Sequence, residues 1–341
     1  MRITGKRLIA VMAAVSMTVS LVPAGGQAAR CSTPAQQTAK LSEKTGIVQS
    51  PVKQKAKEDT APAEVTFSRE SGTYGEAFRL ELSGTEGDTA LYYTTDGSDP
   101  SDPDNKNRIL YQDGGITITD RSNDENVLSA IDPVLFDSVN VKAAEDGKGF
   151  ESTVTKPSKE AVDKCTVIKA AAQHADGTYS SVLTNTYFVG NMADHIAGIS
   201  KSCESAGKDL AVMSISMDAD DLFDSTKGIY VKGDVFEKAL QEYLAAGQTI
   251  TDWNASDTCR GLDANYKQKG RNWERNTHID YFESDGNKTK CKLQQDCGIR
   301  IQGNYSRSDY QKSFRLYARD EYGKKNFKCD FWDNALDDQG K

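Results

Sequence analysis

From Glu64 onward, apolar and polar residues alternate in short runs separated by Gly and Asp. The run "AEVTFSRESGTYGEAFRLELSG" alternates at Val65 and Phe67, then at Phe78, Leu80 and Leu82. "TALYYTTDGSDP" reads as a strand entering a sharp turn, "GGITITD" and "SVNVKAA" as short strands, and "CTVIKAAAQHADGTYSSVLTNTYFVG" as a hairpin turning at "ADG". A period of two with regular turn signals predicts a β-sandwich over residues 63–190. "SNDENVLSAIDPVLFD" interrupts the alternation and is expected to be a long loop inserted across the sandwich edge.

Near residue 191 the period changes. Met192, Ile196, Ile199 and Cys203 recur at helical spacing, and Gly207 follows as a stop signal. "DLAVMSISMD" is almost continuously apolar, as a strand covered on both faces would be. "GDVFEKALQEYLAAG" is amphipathic, with Val235, Phe236, Ala239, Leu240, Tyr243 and Leu244 on one side and Gly247 just past its end. "NWERNTHIDYFESDGNKTKCKLQQDCGIRIQGNYSRSDYQKSFRLYAR" reads as a meander turning at "SDGN" and "SRSD". The predicted fold class is therefore mainly β with some α.

The N-terminus follows another pattern. Arg2, Lys6 and Arg7 precede an apolar run from Leu8 to Val22, followed by Pro23 and small residues suited to cleavage near Ala28 or Ala29. The run is about 15 residues, short of the roughly 20 that a spanning helix needs, so residues 1–29 read as a secretory signal. Residues 30–62, rich in Lys, Gln, Ala, Ser, Thr and Pro, read as a flexible tether. No later segment reads as membrane-spanning. The net charge of -8 excludes a general nucleic-acid binder.

Seven cysteines in an exported chain permit disulfides, and the odd count leaves at least one unpaired within the chain. Cys291 and Cys297 flank a strand or hairpin and are either bridged or buried thiols. The scattered His174, His195 and His278 give little basis for a histidine-based metal site or triad.

"FSRESGTYGEAFRLELSG", "ALYYTTDGSDPS" and "TVIKAAAQHADGTYSSVLTNTYFV" carry a resemblance to the chitobiase/β-hexosaminidase C-terminal-type module over roughly residues 63–190. The resemblance implies an Ig-like sandwich attached to a secreted protein. Tyr74, Tyr92, Tyr93 and Tyr111 are available to stack on sugars or to pack as cross-strand pairs. Asp96, Asp99, Asp102 and Asp104 in "DGSDPSDPDN" lack the Gly and Glu of an EF-hand loop and read as a solvated turn, with calcium the alternative.

"LAVMSISMDADDLFDSTKGIYVKG", "NWERNTHIDYFESDG" and "GIRIQGNYSRSDYQKSFRLYARDEYGKKNFKCDFW" resemble, in order and spacing, the spore coat protein H (CotH) kinase family over about residues 210–335. The resemblance implies the β-rich N-terminal part of an atypical Ser/Thr kinase, an α+β domain using ATP and a divalent metal such as Mg²⁺ on extracytoplasmic proteins. Some relatives are coat or surface components. In the family this block comes early, so residues 191–341 are expected to be an N-terminal portion that does not catalyse by itself.

Phosphoryl transfer needs cations on the phosphates and acids on the metal. Lys312 shares a strand face with Phe314, Leu316 and Ala318, and is the candidate phosphate-contacting lysine. Its alternative is a strand-end lysine reaching water. Arg300 alternates with Ile299 and Ile301, and Arg307 lies in the "NYSRSD" turn; both are candidate nucleotide contacts or plain solvated-sheet and turn residues. Asp218, Asp220, Asp221 and Asp224 read as capping and surface acids. No catalytic residue and no metal ligand is assigned. Two functions follow as expectations: part of an extracytoplasmic kinase acting on secreted or surface proteins, or a non-catalytic secreted coat, adhesion or glycan-binding protein whose partner is cell-wall glycan.

Overall fold

The computed structural model describes residues 7–12, 16–17, 65–190, 210–284, 289–329 and 331. Within them the chain is mainly β with a few helices. β1 (Arg7–Met12) and β2 (Ser16–Met17), inside the run expected as a signal, pair antiparallel with each other.

The next strands are β3 (Thr66–Phe67), β4 (Gly72–Tyr74), β5 (Phe78–Leu80), β6 (Leu82–Ser83), β7 (Asp88–Thr94), β8 (Ile109–Leu110) and β9 (Ile116–Ile118). After an insertion carrying β10 (Val141–Ala143) and β11 (Phe150–Ser152) come β12 (Thr166–His174) and β13 (Leu183–Val189). A five-stranded sheet runs β4-β13-β12-β7-β8, with the pairs β3-β6 and β5-β9 beside it. Ile168, Ala170 and Ala172 of β12 alternate into a core with Tyr187 and Val189 of β13 and with Leu80, Leu82 and Ile118. The expected β12–β13 hairpin forms, and Gly177 takes φ 84° in its turn.

The opposite face of that sheet is covered too. Val167 and Phe188 pack with Val212 and Phe282 of a second sheet. That sheet has the order β17-β16-β15-β14-β1-β2, where β14 is Leu210–Ser216, β15 Arg275–Ser284, β16 Thr289–Gln302 and β17 Ser313–Tyr317. β14 runs parallel to β1 and antiparallel to β15. Its residues 211–216 are all buried, as the continuous apolar run predicted: Ala211, Met213 and Ile215 enter the larger core while Val212 faces the first sheet. The meander β15-β16-β17 forms as expected, with one register shift between Tyr281 and Phe282.

The helices are α1 (Ala219–Phe223), α2 (Gly233–Ala245) and α3 (Ala255–Gly261). α2 buries Phe236 and Leu240 and packs Tyr243 and Leu244 on the same core. Gly247 follows at φ 77°. Gly233 sits at φ +61°, and a Cβ there would lie 2.1 Å from Asn265 Nδ2 and 2.3 Å from the Ser225 carbonyl. The helix expected over 192–207 lies outside the described residues.

One expectation is corrected, and one open alternative is decided. "SVNVKAA" was expected as a sandwich strand, but β10 pairs only with β11, and the inserted segment sends Leu128, Phe136 and Val141 into the larger core. The insertion therefore belongs to the packing of residues 210–331 as much as to the strands that flank it. Cys291 and Cys297 are both free and both lie on β16, six residues and roughly 20 Å apart, too far for a disulfide. Cys165, Cys259 and Cys329 are free as well, while Cys31 and Cys203 lie outside the described residues. Among the described residues no helix is long and apolar enough to cross a membrane.

Candidate functional site

Lys312 stands one residue before β17, on the face that sends Phe314 and Leu316 to the core, and is 2% exposed. Its ammonium donates to the carbonyls of Phe136 (2.6 Å) and Asp309 (2.8 Å). The rings of Tyr266, Tyr230 and Phe136 surround it at 4.4, 4.9 and 5.8 Å. Its backbone N–H donates to the Tyr230 hydroxyl, which donates to the Tyr310 carbonyl. Tyr266 shares a hydrogen bond with Ser138 at 2.6 Å. One lysine thus joins the insertion, the segment before α2, the turn at Tyr266 and the start of β17. Burial pushes its ammonium down to about 7, against the nearby Asp137 carboxylate.

Arg307 lies in a short turn after β16 and is 8% exposed. It donates to the carbonyls of Gly303 (2.7 Å), Tyr266 (2.9 Å) and Gln268 (3.1 Å). Lys312 and Arg307 therefore meet at Tyr266, one over its ring and one at its carbonyl. Arg300 is elsewhere. It pairs in register with Arg315, on the sheet face opposite Ile299 and Ile301. Both its Nε and Nη2 donate to Glu274, at 2.8 and 2.5 Å, and its guanidinium stacks on Tyr317.

Glu274 is the centre that sequence reasoning missed. Its side chain is 1% exposed and also accepts from Arg319 (2.8 and 3.0 Å) and the Tyr322 hydroxyl (3.0 Å). Burial opposes its ionisation, but the hydrogen bonds from Arg319, Arg300 and Tyr322 prevail and hold the carboxyl at about 2. Its signal was the "WER" that opens β15: an acid placed one residue before a strand that later aligns with basic strands.

The three candidate nucleotide contacts do not form a triphosphate cradle in this arrangement. A phosphate reaching Lys312 would have to break two carbonyl hydrogen bonds and part three rings, and Arg300 is held by a buried carboxylate on the other side of the sheet. The residues present do not fit ATP.

A second polar cluster lies on the face of β14–β16 that meets β13. Asp280 is fully buried and accepts from Thr186 Oγ1 (2.6 Å) and Gln294 Nε2 (2.8 Å). Gln294 also donates to Ser71 (2.7 Å), and Thr186 shares a hydrogen bond with Ser214 (3.2 Å). His278 lies between Asp280, 3.6 Å from Nε2, and Asp296, 2.6 Å from Nδ1. Burial disfavours the imidazolium, yet the Asp280 and Asp296 charges raise it to about 9.

The two shifts oppose each other. His278 rises from 6.5, so its contribution is complete below 6.5 and is lost as pH climbs through about 9. Lys312 falls from 10.5, so its contribution is complete above 10.5 and is lost as pH drops through about 7. Between pH 7 and 9 each gives a slope of about 1.4 kcal/mol per pH unit, of opposite sign. We predict a nearly flat melting temperature over that window. His278→Gln should make it rise with pH and Lys312→Met should make it fall; parallel profiles for both variants would contradict the assignment.

A family model described as "Fn3 associated" matches residues 80–187. No curated protein and no solved structure matches the chain.

The matched stretch holds several of the remaining sequence candidates. Asp96, Asp99 and Asp102 accept from the backbone N–H two residues on, at 3.0, 2.8 and 2.9 Å, which makes consecutive Asx turns. Gly97, at φ +85°, lets this turn close on Met217: a Cβ there would lie 2.4 Å from the Met217 carbonyl. Outside the matched stretch, Asp218 caps α1 by accepting from Asp220 N–H. Tyr74, Tyr93 and Tyr111 pack on the core that β12 lines. Tyr92 instead lies on the other face of β7, under the Arg108 guanidinium (4.3 Å) and near Tyr179 (6.3 Å), whose hydroxyl accepts from Arg108.

Proposed function

We propose that this chain acts as a secreted, non-catalytic surface or coat protein of the CotH type, working by binding and not by phosphoryl transfer. The observation that carries this reading is the engagement of Lys312 and Arg307. The basic residues that the family resemblance marks for a nucleotide are internal fastenings here, donating to backbone carbonyls among aromatic rings. Arg300, the third, is neutralised by Glu274. The apolar N-terminal run with its small-residue flank supports export. Cell-wall glycan is the partner class proposed, with Tyr92, Tyr179 and Arg108 as the aromatic and hydrogen-bonding surface.

The test titrates the full chain with ATP and Mg²⁺ and, separately, passes it over peptidoglycan and chitin. Melting temperature should not respond to the nucleotide. Retention should occur on at least one matrix and fall several-fold in Tyr92→Ala. Saturable stabilisation by ATP–Mg²⁺ would overturn the non-catalytic reading, and no retention on either matrix would remove the glycan.

A further inference from the structure

A second lysine, Lys232, is buried without the partners that Lys312 has. It is 5% exposed, and among the described residues no group accepts a hydrogen bond from its Nζ. The ammonium stands 5.0 Å from the Phe236 ring centre and 5.4 Å from that of Phe150. Cation–π contact returns less than the burial of an unpaired ion costs. The backbone at this position is fixed: Lys232 N–H donates to the Leu135 carbonyl (2.8 Å), and its carbonyl accepts from Asn265 N–H (2.7 Å). The lysine therefore cannot relieve the deficit by moving its main chain towards solvent.

Lys232, Phe150 and Phe236 all line one cavity of about 450 Å³ between the insertion and α2. Val134, Leu135, Phe223, Val231 and Leu240 add to its apolar wall, and Ser225 and Gln241 add polar groups. Exposed Lys148 and Glu237 stand at its rim. The start of α2 adds little to an anion site, because the N–H groups of Asp234 and Val235 already reach the Ser225 carbonyl and Asn265 Oδ1. The missing acceptor is specific to the lysine.

We propose that this cavity binds a small carboxylate with an aromatic or branched apolar body. The carboxylate meets Lys232 Nζ, passing one of the two flanking rings, and the body lies against Phe150, Phe236 and Leu240. The volume suits a small ligand. Lys232 is the one buried cation lining the cavity, which matches a monoanion better than a phosphate dianion.

Phenylacetate is the probe, titrated calorimetrically into the full chain, with benzyl alcohol and inorganic phosphate as comparators. Phenylacetate should bind saturably and raise the melting temperature, while both comparators should bind at least about tenfold more weakly. Lys232→Met should keep the fold and lose about tenfold or more in phenylacetate affinity. Leu240→Trp, which fills the cavity from its wall, should block binding and serves as the second variant if Lys232→Met does not fold. No saturable phenylacetate binding, unchanged affinity in Lys232→Met or in Leu240→Trp, or equal binding of phosphate would overturn the proposal.

Discussion

Replacing Asp280 by alanine should destabilise the protein by about 3–5 kcal/mol, the range for breaking a buried, hydrogen-bonded charge cluster. The carboxylate is fully buried and receives Thr186 from β13 and Gln294 from β16. Its loss takes the charged acceptor from both donors, which keep Ser71 and Ser214 as partners, and removes one of the two acids that keep His278 charged. The melting temperature should drop by on the order of 10 °C. Asp280→Asn, which keeps an acceptor oxygen and loses the charge, should cost less. In either variant the pH dependence tied to His278 should weaken, because the Asp280 charge is the foremost of the influences raising its pKa. A loss below about 1 kcal/mol in Asp280→Ala would mean that the cluster is not sealed between the two sheets.

The second large effect is expected at Glu274. Removing its carboxylate leaves Arg300 of β16 and Arg319, just past β17, without their shared acceptor, and takes one partner from Tyr322. The arginine side chains are 20% and 31% exposed, so water re-solvates them in part. The cost of Glu274→Ala is accordingly set below that of a sealed pair, at about 2–3 kcal/mol near neutral pH. The acid dependence follows from the carboxyl held at about 2 against an ordinary 4.5. Its contribution is complete above 4.5 and is lost as pH falls towards 2. Thermal melts of the wild type should therefore drop across that interval, and Glu274→Gln should flatten the drop. An equally steep drop in Glu274→Gln would place the acid sensitivity elsewhere.

Much of the framework could be read from periodicity, because one buried face imposes its own spacing. The run at β14, the β15-β16-β17 meander and the stripe on α2 are of this kind; the expected "SDGN" turn lies largely outside the described residues. Lys312 was placed correctly on the apolar face with Phe314 and Leu316. What periodicity does not carry is the identity of the covering layer. Asp280 alternates with Ile279 and Tyr281 and so reads as solvent-facing, yet the face it occupies is roofed by β13. The acceptors of Lys312 are backbone carbonyls, which have no residue signature, and Phe136 is 176 positions away. The "SVNVKAA" strand was misplaced for the same reason: Val141 announces burial but not which core receives it. Lys232 follows the apolar Val231 and reads as the polar start of a helix, so its burial was not legible either.

Lys312 and Arg307, read from the sequence as nucleotide contacts, donate to backbone carbonyls that fasten the fold. The most direct measurement is an NMR pH titration of the Lys312 side chain, assigned by comparison with Lys312→Met, with and without ATP–Mg²⁺. The expected midpoint is near 7, set by burial, and it should stay there when nucleotide is added. A midpoint near the ordinary 10.5, or a resonance that moves saturably with ATP–Mg²⁺, would contradict it.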